Sequence, residues 1–234
     1  MVELGRVDYG RALMLQRSVW ELRLRDEIPD TLILLEHPPV ITLGRSAKLD
    51  NLLVSEAELT KRGMALYRTE RGGDITFHGP GQLVGYPVFS LRQGLVGVRR
   101  FVEGLERALI LALGRLGVRA QIRPGYIGVW VGEKKIASIG IAVRQGVTLH
   151  GFALNVTTDL SWFQLVRPCG LVGVVMTSIE REAGEQMAHN VRREVRQAFA
   201  AVFGISFQSN LPRSLASLTK GLSAESIARA SSRE

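Results

Sequence analysis

The chain has 234 residues, 46% of them hydrophobic and 22% charged, enough to bury a substantial core and near the upper size of one ordinary domain. Apolar residues run along most of its length, which argues against extended disorder before the C-terminal stretch, and its single cysteine excludes an internal disulfide and a four-cysteine zinc site. Thirty Lys plus Arg against 22 Asp plus Glu leave +8, a surplus that serves solubility or attracts nucleic acid, anionic membrane or an acidic protein.

The N-terminal MVELGRVDYG has no basic region followed by an apolar core, and the densest apolar run, Ala108 to Leu113, is bracketed by Arg107 and Arg115. Neither export nor membrane spanning is expected, and a reducing cytoplasm suits the lone thiol. Tyr9 to Arg25 carries Leu13, Gln16, Val19, Trp20 and Leu24 at helical spacing with arginines between, the pattern of a helix laid on a sheet. Thr31 to Leu35 and Val40 to Leu43 read as short buried strands, separated by a turn at Pro38 and Pro39. Ser55 with Glu58 forms a capping box for a short helix that Gly63 closes.

Val84 to Phe89 reads as a strand and Val98 to Leu116 as an amphipathic helix ended by Gly117. Short strands from Gly125 to Val156, punctuated by Gly132 and Gly146, suggest hairpins rather than parallel crossover units. A last helix is expected from about Glu182 to Phe203. The expected architecture is α+β, with mainly antiparallel or mixed sheets flanked by helices, as one domain over residues 1–210 and a loosely ordered tail over 211–234.

The segment Arg71-Gly72-Gly73-Asp74-Ile75-Thr76-Phe77-His78-Gly79-Pro80-Gly81-Gln82 packs four glycines, a proline and five polar side chains together, which is not how a core strand is written. It lacks the Gly-Lys-Ser/Thr ending of a phosphate loop, so nucleotide cradling is not indicated. Read by themselves, Arg71 and Asp74 can pair with each other, and His78 is either a structural histidine or a base.

Pro168-Cys169-Gly170 presents the thiol in an expected turn. A thiol of pKa about 8.5 is only a few per cent thiolate near neutrality, so a reactive cysteine needs a base or a positive neighbour. Lys135, His78 and His150 are the candidates. Alternation along Lys134-Lys135-Ile136-Ala137-Ser138-Ile139-Gly140 sends Lys135, Ala137 and Ile139 to one face and Lys134 to the other, although propensity alone reads Lys135 as a solvated strand-end lysine.

In this order, Glu36-His37-Pro38-Pro39, Thr42 to Arg45, the Arg71 to Gln82 loop with Tyr86-Pro87, Lys135-Ile136-Ala137, His150 to Val156, Asp159-Leu160 with Phe163, Pro168-Cys169-Gly170 and Thr177-Ser178 resemble the lipoyl(octanoyl) transferase family. That family lies within the fold group of biotin and lipoate protein ligases. The resemblance covers roughly residues 7 to 180. It implies that Cys169 is the acyl-thioester nucleophile and Lys135 its partner, lowering the thiol pKa or taking its proton. It also implies that Arg71, Gly72, Gly73, Asp74, Ile75, Thr76, Phe77 and His78, then Ser138, Ile139 and Gly140, then Gly151, Phe152 and Ala153, bind the acyl substrate.

The implied reaction moves an octanoyl or lipoyl group from acyl carrier protein onto Cys169 and then to a lysine of a lipoyl domain, the first step of endogenous protein lipoylation. The implied acceptors are the lipoyl domains of 2-oxoacid dehydrogenase E2 subunits and the glycine cleavage H protein. No bound cofactor or metal is implied, because the donor itself carries phosphopantetheine, and ATP is not needed since a thioester is already activated. A monomer is expected. Backbone N–H groups of Cys169 or Gly170 would meet the developing oxyanion. Burying about seven carbons of the tail contributes roughly 5 kcal/mol at about 0.8 per methylene, with Gly72, Gly73, Gly140 and Gly151 leaving it room.

The alternatives are an ATP-dependent lipoate or biotin ligase, which would not require Cys169, and a non-catalytic acyl-binding or basic nucleic-acid-binding module. The absence of a basic run interleaved with aromatics argues against nucleic acid as a partner.

Overall fold

A computed structural model of the protein describes residues 1–92, 97–167, 173–207 and 212–222. Strand β1 (Val2–Arg6) leads into helix α1 (Tyr9–Leu24), whose first turn is capped by the Asp8 carboxylate accepting the Arg11 N–H at 3.1 Å. The apolar runs before and after Pro38-Pro39 become β2 (Thr31–Glu36) and β3 (Val40–Leu43). Ser55 caps α2 (Glu56–Lys61) by accepting the Glu58 N–H at 3.2 Å. Then come β4 (Ala65–Arg68), β5 (Ile75–His78), β6 (Gln82–Val88) and α3 (Val98–Arg115).

A meander of β7 (Gln121–Arg123), β8 (Tyr126–Val131), β9 (Lys134–Arg144) and β10 (Val147–Asn155) follows, turning at Gly132 and Gly146, both at positive φ. Strand β11 (Val175–Met176) and helices α4 (Ile179–Ala183), α5 (Glu185–Ala188), α6 (Val191–Phe203) and α7 (Arg213–Thr219) follow, and two short 3-10 turns lie at Leu49–Asn51 and Leu160–Leu165.

The larger sheet has the order β1-β2-β6-β10-β9-β8-β7, with β11 added on β9, and the smaller has the order β4-β3-β5. Most pairings are antiparallel, while β1–β2, β3–β4 and β9–β11 are parallel. This is the α+β architecture with mixed sheets and flanking helices that the strand and helix patterns indicate. Alternation along β2 sends Leu32 and Leu34 to one face, under α3 and α6, and Ile33 and Leu35 to the other, under α1. On α3, Phe101, Leu105, Ala108, Leu109 and Ala112 form the buried stripe, each large side chain contributing about 1.5–3 kcal/mol by leaving water. No helix among the described residues is long and apolar enough to cross a membrane.

Two expectations are corrected. The helix expected from Glu182 to Phe203 is divided, because α4 ends at Gly184, which sits at φ +88°, the short α5 follows over Glu185–Ala188, and α6 begins at Val191. Within the tail expected to be loosely ordered from residue 211, the described part forms α7, which lies on α1, buries Leu215 and lets Gly221 accept a hydrogen bond from Arg11 at 2.8 Å. Residues 223–234 lie outside the described residues.

A buried chain of side-chain hydrogen bonds links the two sheets. Arg71 Nη2 donates to Thr42 Oγ1 at 2.9 Å, and the Thr42 hydroxyl lies 3.3 Å from His78 Nε2. His78 Nδ1 donates to Gln82 Oε1 at 2.8 Å, Gln82 Nε2 to Asn155 Oδ1 at 3.0 Å, and Asn155 Nδ2 to the Thr177 carbonyl at 2.9 Å. Nearby, His37 Nδ1 reaches the Val7 carbonyl at 2.7 Å and must donate to it, which leaves Nε2 to accept from the Tyr86 hydroxyl at 2.6 Å. Burial pushes the His37 pKa down to about 4 and that of His78 down to about 3, with His37 nearby adding to the second shift.

Glycines permit close backbone approach where β6 meets β10. A Cβ on Gly151 would stand 2.1 Å from the Gly85 carbonyl oxygen and 2.6 Å from Pro87 Cδ, whereas one on Gly72 would meet only the Ile141 oxygen, at 3.5 Å. Gly151→Ala should therefore lose at least about 2 kcal/mol in urea unfolding while Gly72→Ala stays within about 0.5 kcal/mol; equal losses would contradict the packing.

The two histidines also set a pH dependence. Unfolded, they bind protons below about pH 6.5, whereas in the folded chain they stay neutral until about pH 4 and 3. The unfolded state thus holds more protons in this window, and stability should fall from pH 6.5 to 5 by up to about 2.7 kcal/mol per pH unit from the pair. Denaturant titrations that gave a flat stability over that window would refute the neutral assignment.

Candidate active site

The residues singled out in the sequence gather around adjoining cavities. An inner one, about 480 Å³ with its mouth included, is lined by Arg71, Gly73, Asp74, Ile75, Thr76 and His78 from the glycine-rich segment. Ser138, Ile139, Gly140, Gly151, Phe152 and Ala153 complete much of its wall, and in the β9–β10 ladder these two triplets face each other as Ala153↔Ser138, Phe152↔Ile139 and Gly151↔Gly140. Gly73, Asp74, Ile139 and Gly140 also border an outer, wider cavity, whose wall includes Lys135, Arg45, Lys48 and Arg167.

The glycine-rich turn is fixed on both sides. Gly44 N–H bonds the Asp74 carbonyl at 3.0 Å and Arg45 N–H that of Arg71 at 3.0 Å, while Gly72 N–H reaches across to the Ile141 carbonyl on β9 at 2.8 Å. The Asp74 carboxylate accepts the backbone N–H groups of Ile75 at 2.7 Å and Lys48 at 3.2 Å and the Asn51 amide, so it holds the turn together. Arg71 instead turns inward to the carbonyl and hydroxyl of Thr42, at 2.7 and 2.9 Å. The simple Arg71–Asp74 pairing open to the sequence therefore does not describe how these groups are used.

Lys135 is 2% exposed, against the propensity reading of a solvated lysine. Its Nζ donates to the Ile127 carbonyl at 3.0 Å and lies 5.4 Å from the centroid of the Trp130 ring. Lys134 points away and pairs with Glu182 at 2.9 Å, as alternation requires. Pro168, Cys169 and Gly170 lie outside the described residues. The chain on either side of them meets the neighbourhood of Lys135: Arg167 lines the same cavity, Met176 pairs with Lys135 in the sheet, and Thr177 N–H bonds the Lys135 carbonyl at 2.9 Å.

Several expectations for the acyl site change. Phe77 faces away from the cavities; the period of β5 sends Thr76 and His78 to the inner cavity and Phe77 into the core, its ring 5.8 Å from Trp162 and 5.5 Å from Phe163. Gly72 borders the outer cavity rather than the inner one. Gly140 and Gly151 line the inner cavity and also allow close backbone packing, since a Cβ on Gly140 would stand 2.8 Å from the Gly72 oxygen. His78, neutral and bonded through both ring nitrogens, is placed as a structural link.

His150, at φ +58°, lies 3.4 Å from Glu70 Oε2, and that contact is the main cause holding the Glu70 carboxyl down at about 2. The inner wall also includes Tyr9, Val84 and Tyr86, which sequence reading did not assign to it. The period-2 pattern of β6 carried a signal for Val84 and Tyr86, whereas nothing local marked Tyr9.

Known proteins resemble this chain in sequence and in fold. The profile described as the lipoyl protein ligase A/B catalytic domain matches residues 8–204. An octanoyltransferase of Alkaliphilus metalliredigens is 48% identical over 208 residues, covering 87% of this chain and 94% of its own. An octanoyltransferase of Koribacter versatilis is 45% identical, covering 90% of this chain and 85% of its own. Among solved structures, a bi-partite lipoate protein ligase from Thermoplasma acidophilum superposes with a TM-score of 0.69 at 21% identity, covering 95% of this chain and 92% of that one. A lipoate-protein ligase A bound with ATP gives 0.70 at 19% identity over the same shares, and both share the fold. A match over most of the chain, by sequence and by fold, shows that this chain belongs to the lipoyl protein ligase A/B catalytic domain family.

Proposed function

We propose that the chain is an acyltransferase of protein lipoylation, moving an octanoyl or lipoyl group from acyl carrier protein to a lysine of a lipoyl domain through a thioester on Cys169. The observation that carries the reading is a buried lysine, Lys135, on the wall of an open cavity that adjoins an inner, largely apolar one. Relatives named octanoyltransferase at 44–48% identity support the same activity.

In the first half-reaction the Cys169 sulfur attacks the donor's thioester carbonyl, forming a new thioester and releasing the phosphopantetheine thiol, which takes up a proton. In the second, the acceptor amine attacks that thioester, an amide forms and the Cys169 thiol returns. Lys135 takes the Cys169 proton and, as an ammonium beside the thiolate, returns it to the leaving phosphopantetheine sulfur; in the second step it passes the proton lost by the acceptor amine to the Cys169 sulfur. The acyl tail occupies the inner cavity against Ile75, Val84, Ile139 and Phe152. Arg45, Lys48 and Arg167 give the outer cavity a basic rim suited to an acidic carrier protein and its phosphate linker. E2 lipoyl domains and the glycine cleavage H protein are the proposed acceptors, and the proposed enzyme acts as a cytoplasmic monomer without a bound cofactor, its lone thiol kept reduced.

Transfer from octanoyl-loaded carrier protein to a lipoyl domain should proceed without ATP and slow as salt rises, through association. Lys135→Ala should reduce it by roughly 10²- to 10⁴-fold, and Cys169→Ser should abolish it. Transfer that required ATP and free octanoate, and that survived Cys169→Ser, would replace this reading with a ligase.

A further inference from the structure

Glu106 is a carboxylate on the inward face of α3, 8% exposed, next to Leu105 and among the buried Leu109 and Ala112. Carboxylates rarely occupy such positions without a partner. Its Oε1 accepts the N–H of Gly128 at 3.0 Å. That N–H belongs to the peptide unit whose carbonyl, Ile127 O, accepts Lys135 Nζ at 3.0 Å. Carboxylate, peptide group and ammonium therefore stand in series, with one peptide held at both ends.

The local backbone is shaped for this. Gly128 has φ +126°, and a Cβ there would stand 2.6 Å from both Lys135 Cε and the Ala137 oxygen, so only glycine lets the chain cross directly over the lysine. Next to it the β8–β9 register shifts, with Val129 opposite Ala137 but Trp130 opposite Lys135.

We propose that Glu106 is a positioning residue for Lys135, acting through the Ile127–Gly128 peptide; this rests on the role assigned to Lys135 in the transfer reaction. An acceptor at the peptide N–H fixes the orientation of the carbonyl, and a negative charge there polarises the peptide so that the carbonyl holds an ammonium more strongly. Burial raises the pKa of Glu106, the Gly128 N–H lowers it, and the other charges acting on the carboxyl are Glu103 of the same helix, which raises it, and Lys135 of β9, which lowers it.

The test is kcat and KM for octanoyl transfer across pH in wild type, Glu106→Gln, Glu106→Ala and Lys135→Ala, with thermal melts confirming that each variant is folded. Glu106→Ala should lose roughly ten- to a hundredfold in kcat, the scale on which a misplaced group costs rate, with KM for the carrier within about twofold. Glu106→Gln keeps an oxygen for the Gly128 N–H, so it should recover most of kcat while its pH–rate profile departs from wild type through the lost charge. Wild-type kcat in Glu106→Ala beside a disabled Lys135→Ala would overturn the proposal while leaving the role of Lys135 intact. Equal losses in the Gln and Ala variants with an unshifted profile would reduce Glu106 to packing and also overturn it. Full activity in Lys135→Ala would remove the role of the lysine and this proposal with it.

Discussion

The side chains from Arg71 to Asn155 pass hydrogen bonds in one direction across the junction of the two sheets, and the site depends on that chain remaining intact. Each link needs a particular donor and acceptor: Thr42 takes protons from Arg71 and offers its own to His78 Nε2, and His78 Nδ1 offers its proton to Gln82, whose amide continues to Asn155. A charged His78 would carry protons on both nitrogens, and the Thr42 link would become a clash of donors. Burial in this position and the neutral imidazole are thus one requirement seen from two sides.

This chain ties the smaller sheet, which carries one lip of the inner cavity, to β10, which carries the other. The glycine-rich turn can then lie flat on β9, with Gly72 bonded to Ile141 and the Asp74 carboxylate drawing in the turn from Lys48 to Ile75. Lys135 sits on the same β9 strand, where the sheet fixes its backbone and the Ile127 carbonyl fixes its ammonium. Rigid strands therefore set the distance between the inner cavity and the proposed catalytic lysine.

Much of this was legible in the sequence because it follows from period and local chemistry. The spacing in α1, the Ser55 cap, the turns at Gly132 and Gly146 and the opposite directions of Lys134 and Lys135 are all consequences of backbone geometry. What was not legible depends on partners distant in sequence. Nothing near Lys135 announces that the Ile127 carbonyl and the Trp130 ring will meet its ammonium, and His78 becomes a link only once Thr42 and Gln82 arrive. Phe77 illustrates the reverse case: the motif suggested ligand binding, yet strand alternation sends the ring to Phe163 and Trp162. Leu215 docks a helix from a stretch whose composition looked unstructured, because α1 supplies the apolar surface that the stretch lacks.

The most direct test of the account is the intact mass of the protein after mixing with octanoyl-loaded carrier protein in the absence of ATP. The account predicts one octanoyl unit on the wild-type chain, located on Cys169 by fragmentation and removed when a lipoyl domain is added. An unmodified Cys169, with octanoyl appearing on the lipoyl domain all the same, would contradict a thioester on this chain and the chemistry built around Lys135.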